Sequence, residues 1–193
     1  MMGTESMKDR IMRVALGEFA AKGYAGTSMR DIAEKCEISK PALYYYFEGK
    51  ESLYNTLVEQ ALDVRHGLMR QAVVGEESIE GKLTAIVRVM NRFAAENREL
   101  MRLCFAYAFS APEEVPKKVA LRGRNRTFLM ELIQEAQDQG ELKQGYSPEQ
   151  LVTLIQGVTM ALAMRFVLLP ETVVKDDEAR SFVELILKGV CIG

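Results

Sequence analysis

The sequence predicts an all-α protein. Three observations carry that expectation. Apolar residues recur at three- and four-residue steps along most of the chain, strand-like alternation and Asn-Gly or Asp-Gly hairpins are missing, and only five of 193 residues are proline. Local start and stop signals then divide the chain into helices.

Ile11, Val14, Ala15, Leu16 and Phe19 form the stripe of a first helix over residues 7–21, which Gly23 ends. Ser28-Met29-Arg30-Asp31 has capping-box spacing, with aspartate in place of the usual Glu or Gln, and opens a short helix. Ile32 and Ala33 supply its buried side. The turn Cys36-Glu37-Ile38-Ser39 leads into a third helix, from Lys40 to about Phe47. After Gly49 a long helix runs from about Lys50 to Val74, striped by Leu53, Leu57, Ala61, Val64 and Leu68. Ile79, Leu83, Ile86, Met90 and Phe93 make the apolar face of a helix from Ser78 to Glu96. Residues 98–109 are apolar nearly all round after Leu103, which predicts a buried short helix. Pro112 and Pro116 interrupt, and a helix then resumes to about Gln139, with Gly140 as its C-cap. Ser147-Pro148-Glu149-Gln150 combines a serine cap, proline at the first helical position and glutamine two residues later. That helix ends before Pro170, and a last one spans about Asp176 to Val190.

The organisation is therefore three short helices over residues 1–49 and a larger bundle over residues 50–193. Net charge is −2, without the basic excess of a general nucleic-acid binder. Residues 1–50 hold eight Lys/Arg against seven Asp/Glu, which permits a DNA contact confined to that end. Cys36, Cys104 and Cys191 are odd in number and widely spaced, which suggests neither a disulfide framework nor a zinc site. The N-terminus lacks a secretory pattern, and the longest unbroken apolar run, LCFAYAF, is far short of a membrane span. A cytoplasmic, reduced protein without membrane contact is the expectation. One histidine, no Gly-rich phosphate loop and no metal-ligand spacing argue against an enzyme, and no cofactor is implied.

The stretch PALYYYFEGK, residues 41–50, sets three tyrosines in a row. A helix turns about 100° per residue, so these rings cannot share one core. With Leu43 and Phe47 inward, Tyr45 faces straight out, Pro41 and Ala42 share its face, and Tyr44 and Tyr46 lie on the flanks. Such a helix suits a DNA major groove. The outward residues would touch base edges and thymine methyls, and the flanking hydroxyls would reach phosphates. Lys40 and Lys50 would add charge at its two ends. The short helix and four-residue turn before it complete a helix-turn-helix.

Residues 19–53, FAAKGYAGTSMRDIAEKCEISKPALYYYFEGKESL, resemble the TetR family of transcriptional regulators. The signals fall in family order: Gly23-Tyr24, Thr27-Ser28, Asp31-Ile32-Ala33, Ile38-Ser39, Leu43-Tyr44, Phe47 and Lys50-Glu51-Ser52-Leu53. The resemblance implies phosphate contacts from Thr27 and Ser28, and a phosphate or base contact from Arg30. It implies base readout by Lys40, Pro41, Ala42 and Tyr45, with Ser39 also at the interface, and backbone contacts from Tyr44, Tyr46 and Lys50. Ile32, Ala33, Ile38, Leu43 and Phe47 would be core. Cys36-Glu37 departs from the family's usual Ala-Gly, and a side chain held in a left-handed turn costs about 1 kcal/mol.

The family's C-terminal bundle binds a small effector and dimerises. The helix from Pro148 to Leu169 carries two apolar stripes, one of Leu151, Leu154, Ile155, Val158, Leu162 and Phe166 and one including Met160, Met164 and Val167. With the broad apolar face of Phe182, Leu185, Ile186 and Val190, this suggests a four-helix homodimer interface. A dimer would read a palindromic operator in double-stranded DNA, with half-sites about one helical turn apart. For a largely apolar effector, the candidate lining is His66, Met90, Phe93, Cys104, Phe105, Tyr107, Met130, Met160 and Met164, between helices starting at Lys50, Ser78, Arg98, Glu113 and Pro148. The expected function is a DNA-binding repressor released by that ligand. The alternative is a helical ligand carrier or scaffold without DNA binding.

Overall fold

The computed structural model describes residues 5–109, 122–143, 145–169 and 175–188. Among the described residues the fold is all-α, with nine helices: α1 (Met7–Gly26), α2 (Met29–Lys35), α3 (Lys40–Tyr46), α4 (Lys50–Ala72), α5 (Ile79–Glu96), α6 (Arg98–Phe109), α7 (Arg122–Asp138), α8 (Pro148–Leu168) and α9 (Asp176–Leu187). The expected breaks at Pro112, Pro116 and Pro170, the helix start at Glu113, and Val190 and Cys191 lie outside the described residues.

Caps follow the local signals. The Ser6, Ser28, Ser39, Ser78 and Ser147 hydroxyls each accept a hydrogen bond from a backbone N–H three residues on, and Ser147 N–H in turn donates to Gln150 Oε1. Gly23, at φ 71°, breaks α1 three residues before its end. After α7, Gly140 at φ 78° closes a Schellman turn, with its N–H on Gln137 O at 3.1 Å and Glu141 N–H on Ala136 O at 2.9 Å. The same pattern closes α2, with Glu37 N–H on Glu34 O at 3.0 Å and Ile38 N–H on Ala33 O at 3.1 Å.

In α2, however, the left-handed residue is Glu37, at φ 55°. It occupies the slot a glycine would fill and offsets little of the strain through an exposed pair with Arg10 at 3.0 Å. Glu37→Gly is therefore expected to stabilise the protein by several tenths to about 1 kcal/mol, raising Tm by about 1–3 °C. A fall in Tm by calorimetry would refute that account.

The chain forms two compact units, the first from Met1–Ala61 with Glu99–Val119 and the second from Leu62–Arg98 with Ala120–Gly193. This line differs from the division at residue 49 read from the sequence. Within the first unit, Tyr54 joins α4 to α6. Its buried phenol, pushed up in pKa by desolvation and so held as a donor, bonds Leu103 O at 3.4 Å, and its ring meets Tyr107 at 6.0 Å. The expectation of a fully buried α6 needs correction, because Phe109 is 63% exposed and Phe105 only half-buried.

In the second unit α5 packs against α7, α8 and α9. Its core includes Leu83, Ile86 and Met90 with Ile133, Leu151 and Ile155. Arg165 forks onto Glu178 at 2.6 and 2.8 Å, tying α8 to α9. The Glu141 carboxylate caps α5 through Ile79 N–H at 2.8 Å. The buried stripe of α8 is Leu151, Val152, Ile155, Leu162, Ala163 and Phe166. Leu154, expected on it, is instead 54% exposed. By length and composition α8 could cross a membrane, but its inner face is the core of this unit.

Candidate nucleic-acid interface

The outward face of α3 exists because Leu43 and Phe47 are fixed inward, at 0% and 4% exposure. Rotation by about 100° per residue then leaves Tyr45 86% exposed, with Tyr44 and Tyr46 at 43% and 39% on its flanks. The Tyr45 and Tyr46 rings meet edge to face at 5.3 Å, which restrains both without hiding either hydroxyl. Lys40 Nζ lies 5.8 Å from the Tyr44 ring centre, so the one cation on α3 sits at its N-terminal corner. Pro41 is exposed and Ala42 half-buried, and neither carries a bulky group past the tyrosines.

Glu18 ties α1 to α2, the helix against which α3 packs. This carboxylate is 4% exposed, yet Lys22 reaches it at 2.8 Å from within α1 and Lys35 bonds it from the end of α2. Those lysines, Lys22 first, hold its pKa below the usual carboxylate range. A lowered folded pKa contributes stability that is complete above the unfolded value and disappears as pH falls through the folded one. The Tm gap between wild type and Glu18→Gln should therefore be widest near neutrality and shrink in acid, once the native carboxyl is protonated too. A gap independent of pH, followed by circular dichroism, would contradict this role.

Not every residue expected at the DNA is free to reach it. Thr27 is 2% exposed, and its hydroxyl donates to Gly23 O at 2.8 Å and Glu18 O at 3.2 Å, tying the break in α1 to the start of α2. That use corrects its expected phosphate contact. Ser28 and Ser39 are exposed caps whose oxygens accept from helix N–H groups, which leaves each hydroxyl a hydrogen to donate. Arg30 is exposed and paired with Glu34 at 2.8 Å, an i,i+4 contact weak enough to exchange for a phosphate. Lys50 is half-buried, with its ammonium turned toward Tyr24. Cys36 is fully buried, and desolvation pushes its thiol pKa up, which makes it inert packing in the turn.

The proposed effector residues are divided between the two units. Cys104, Phe105 and Tyr107 belong to the first unit, and His66, Met90, Phe93, Met130, Met160 and Met164 to the second. Met90 is core filler at 3% exposure, Phe93 is buried, and Met160 is 40% exposed on the outer side of α8. Met164 is half-buried on the same helix. Met130 borders an open groove of about 600 Å³ whose other walls are Glu131, Gln134, Glu135, Asp138 and Gln139. His66 is bonded through Nδ1 to Asn125 Oδ1 at 2.9 Å and packs on Phe128, so it fastens α4 to α7. Sequence reasoning passed over Thr84 and Asn91 on α5, which are 7% and 2% exposed with side-chain oxygens that have no hydrogen-bond partner. Thr56, Thr153 and Thr159 turn their hydroxyls onto the carbonyl one turn back, and Thr84 does not. The seven-residue spacing of Thr84 and Asn91 within an amphipathic helix is the signal that could have found them.

Comparison with known proteins places these features in a lineage. Residues 11–57 match the family model for bacterial regulatory proteins, tetR family, and residues 83–186 match the tetracyclin repressor-like C-terminal domain. The chain is 30% identical over 129 residues to the biofilm operon icaADBC HTH-type negative transcriptional regulator IcaR of Staphylococcus epidermidis, covering 66% of this chain and 68% of that protein. The Staphylococcus aureus IcaR proteins are 29% identical over 108 residues, and the match spans only 56% of their length. The fold matches the fatty acid degradation regulator FadR from Bacillus halodurans with TM-score 0.81, 18% identity and 96% of each chain covered. It also matches the ketosteroid transcriptional regulator KstR2 of Mycobacterium tuberculosis with TM-score 0.77 and 17% identity, over 99% of this chain and 98% of that one.

Proposed function

The chain belongs to the tetR family of bacterial regulatory proteins, and on that premise we propose that this transcriptional regulator is a dimeric repressor that reads a palindromic operator through α3 and is released by a small ligand. The observation that carries the reading is the solvent-facing tyrosine row, with Tyr45 86% exposed beside Lys40 and Pro41. An aromatic that exposed on a seven-residue helix gains nothing from its own fold. In a major groove it would bury its ring against base edges, while Tyr44, Tyr46, Ser28, Ser39 and Arg30 take phosphates. The negative regulator IcaR, at 29–30% identity, supports repression as the sign.

Ligand release fits a population shift, in which an effector held by the second unit favours a spacing of the two reading heads that no longer matches the half-sites. The effector would be largely apolar, with a hydrogen-bond donor for the unpartnered oxygens of Thr84 and Asn91. The test of the reading is selection of bound duplexes from a randomised pool by the full chain. Enrichment of one palindrome, with half-site centres about 34–36 Å apart, is the expected result. Folded protein that enriches nothing at low salt would leave the DNA-reading proposal without support.

A further inference from the structure

We infer that Lys50 is a positioning residue that latches the broken end of α1 to the first turn of α4, rather than a phosphate contact; the inference rests on the DNA-reading proposal above. Its Nζ donates to Tyr24 O at 2.8 Å and lies 4.4 Å from the centre of the Tyr24 ring. Both acceptors are fixed. Tyr24 follows the break at Gly23, and its ring is wedged against Phe19 at 6.1 Å and Tyr54 at 5.1 Å. The ammonium thus has a carbonyl, a π face and a rigid seat, which together hold a cation far better than an exposed ion pair does.

The charge around it points the same way. Beside Lys50 lies a cleft of about 610 Å³ whose walls include Glu48, Glu51 and Glu59. Three carboxylates against one ammonium favour keeping that ammonium inside and repel an approaching phosphate. The latch also lies where it governs α3. The chain passes from Tyr46, the last residue of α3, through buried and extended Phe47 to the start of α4 at Lys50. With Leu43 and Phe47 seated and the start of α4 tied to α1, the C-terminal end of the reading helix is held from two sides.

The test uses the full chain on its selected operator and on a shuffled duplex of equal length, titrated over a salt series. Enrichment by the wild type, measured first, tests the reading itself, so the two proposals fail separately. Lys50→Met keeps the stem against Tyr24 but removes charge and donor. We expect it to lose about 10-fold or more on the operator, with shuffled-duplex affinity and the salt slope unchanged. A phosphate contact would instead weaken both duplexes alike and flatten the slope by about 0.9 per protomer, and that result overturns the inference. Unchanged affinity on both duplexes overturns it too. Tyr24→Leu keeps the charge and removes the seat, so it should show the same selective loss. If Tyr24→Leu binds like wild type while Lys50→Met does not, the latch is refuted. Helicity by circular dichroism confirms that each variant is folded before binding is compared.

Discussion

Tyr45→Ala is expected to abolish selection of the operator while leaving folding and non-specific DNA binding as they are. The ring is 86% exposed and meets Tyr46 edge to face, so its removal leaves no cavity. On DNA the loss falls on base readout, where a good contact is worth about 1–3 kcal/mol of discrimination. In a two-fold complex the substitution acts twice, which makes about 2–6 kcal/mol and at least about a 30-fold weaker operator complex. Tyr44→Phe and Tyr46→Phe should behave differently. Each removes only a hydroxyl offered to a phosphate, so they should weaken all duplexes by a similar, smaller factor. Competition binding with operator and shuffled duplexes separates the two patterns. If Tyr45→Ala still enriches the wild-type palindrome with wild-type affinity, the outward ring is not the reader.

What could be read from the sequence is what depends on neighbours in the chain. The serine caps, the Gly140 turn and the outward throw of Tyr45 follow from spacings of three or four residues, and all stand in the structure. The departure at Cys36-Glu37 was equally legible, because a Schellman turn requires one left-handed residue and Glu37 takes it. The misses share a physical cause in distant partners. Thr27 looked available until the non-helical break at Gly23 brought Gly23 O, four residues back, and more loosely Glu18 O, nine back, onto its hydroxyl, and Lys50 until Tyr24 O, 26 residues away, took its ammonium. Tyr54 meets Leu103 across 49 residues, which is why α6 joins the first unit and no local pattern announces it. Methionine at helical spacing does not by itself separate core from pocket, because it fills cores as readily as it lines pockets, and Met90 is in the core.

Gly157→Arg is expected to separate the protein into monomers and, with that, to remove operator binding. On the helical wheel Gly157 lies opposite the buried stripe of Leu151, Ile155 and Leu162, amid exposed Thr153, Met160, Ala161 and Leu168. Leu185 on α9 is exposed as well. Small residues at 157 and 161 let a second helix approach closely, and a glycine inside a 21-residue helix, which costs about 1 kcal/mol against alanine, otherwise lacks a reason. A side chain built at Gly157 meets nothing within 4 Å, so the protomer itself should tolerate arginine and gain helix propensity. Two-fold symmetry brings the same substitution in from both sides. Two unpaired guanidiniums in an apolar contact cost several kcal/mol, enough to weaken the dimer by more than about 100-fold. Sedimentation should then report a monomer with native helicity, and the operator complex should fall to the affinity and shallow salt slope of a single head on DNA. Gly157→Ala, which adds one methyl, should stay closer to wild type in both assays. A Gly157→Arg protein that still sediments as a dimer would exclude the outer face of α8 as the interface and leave the half-site spacing to be set by another surface.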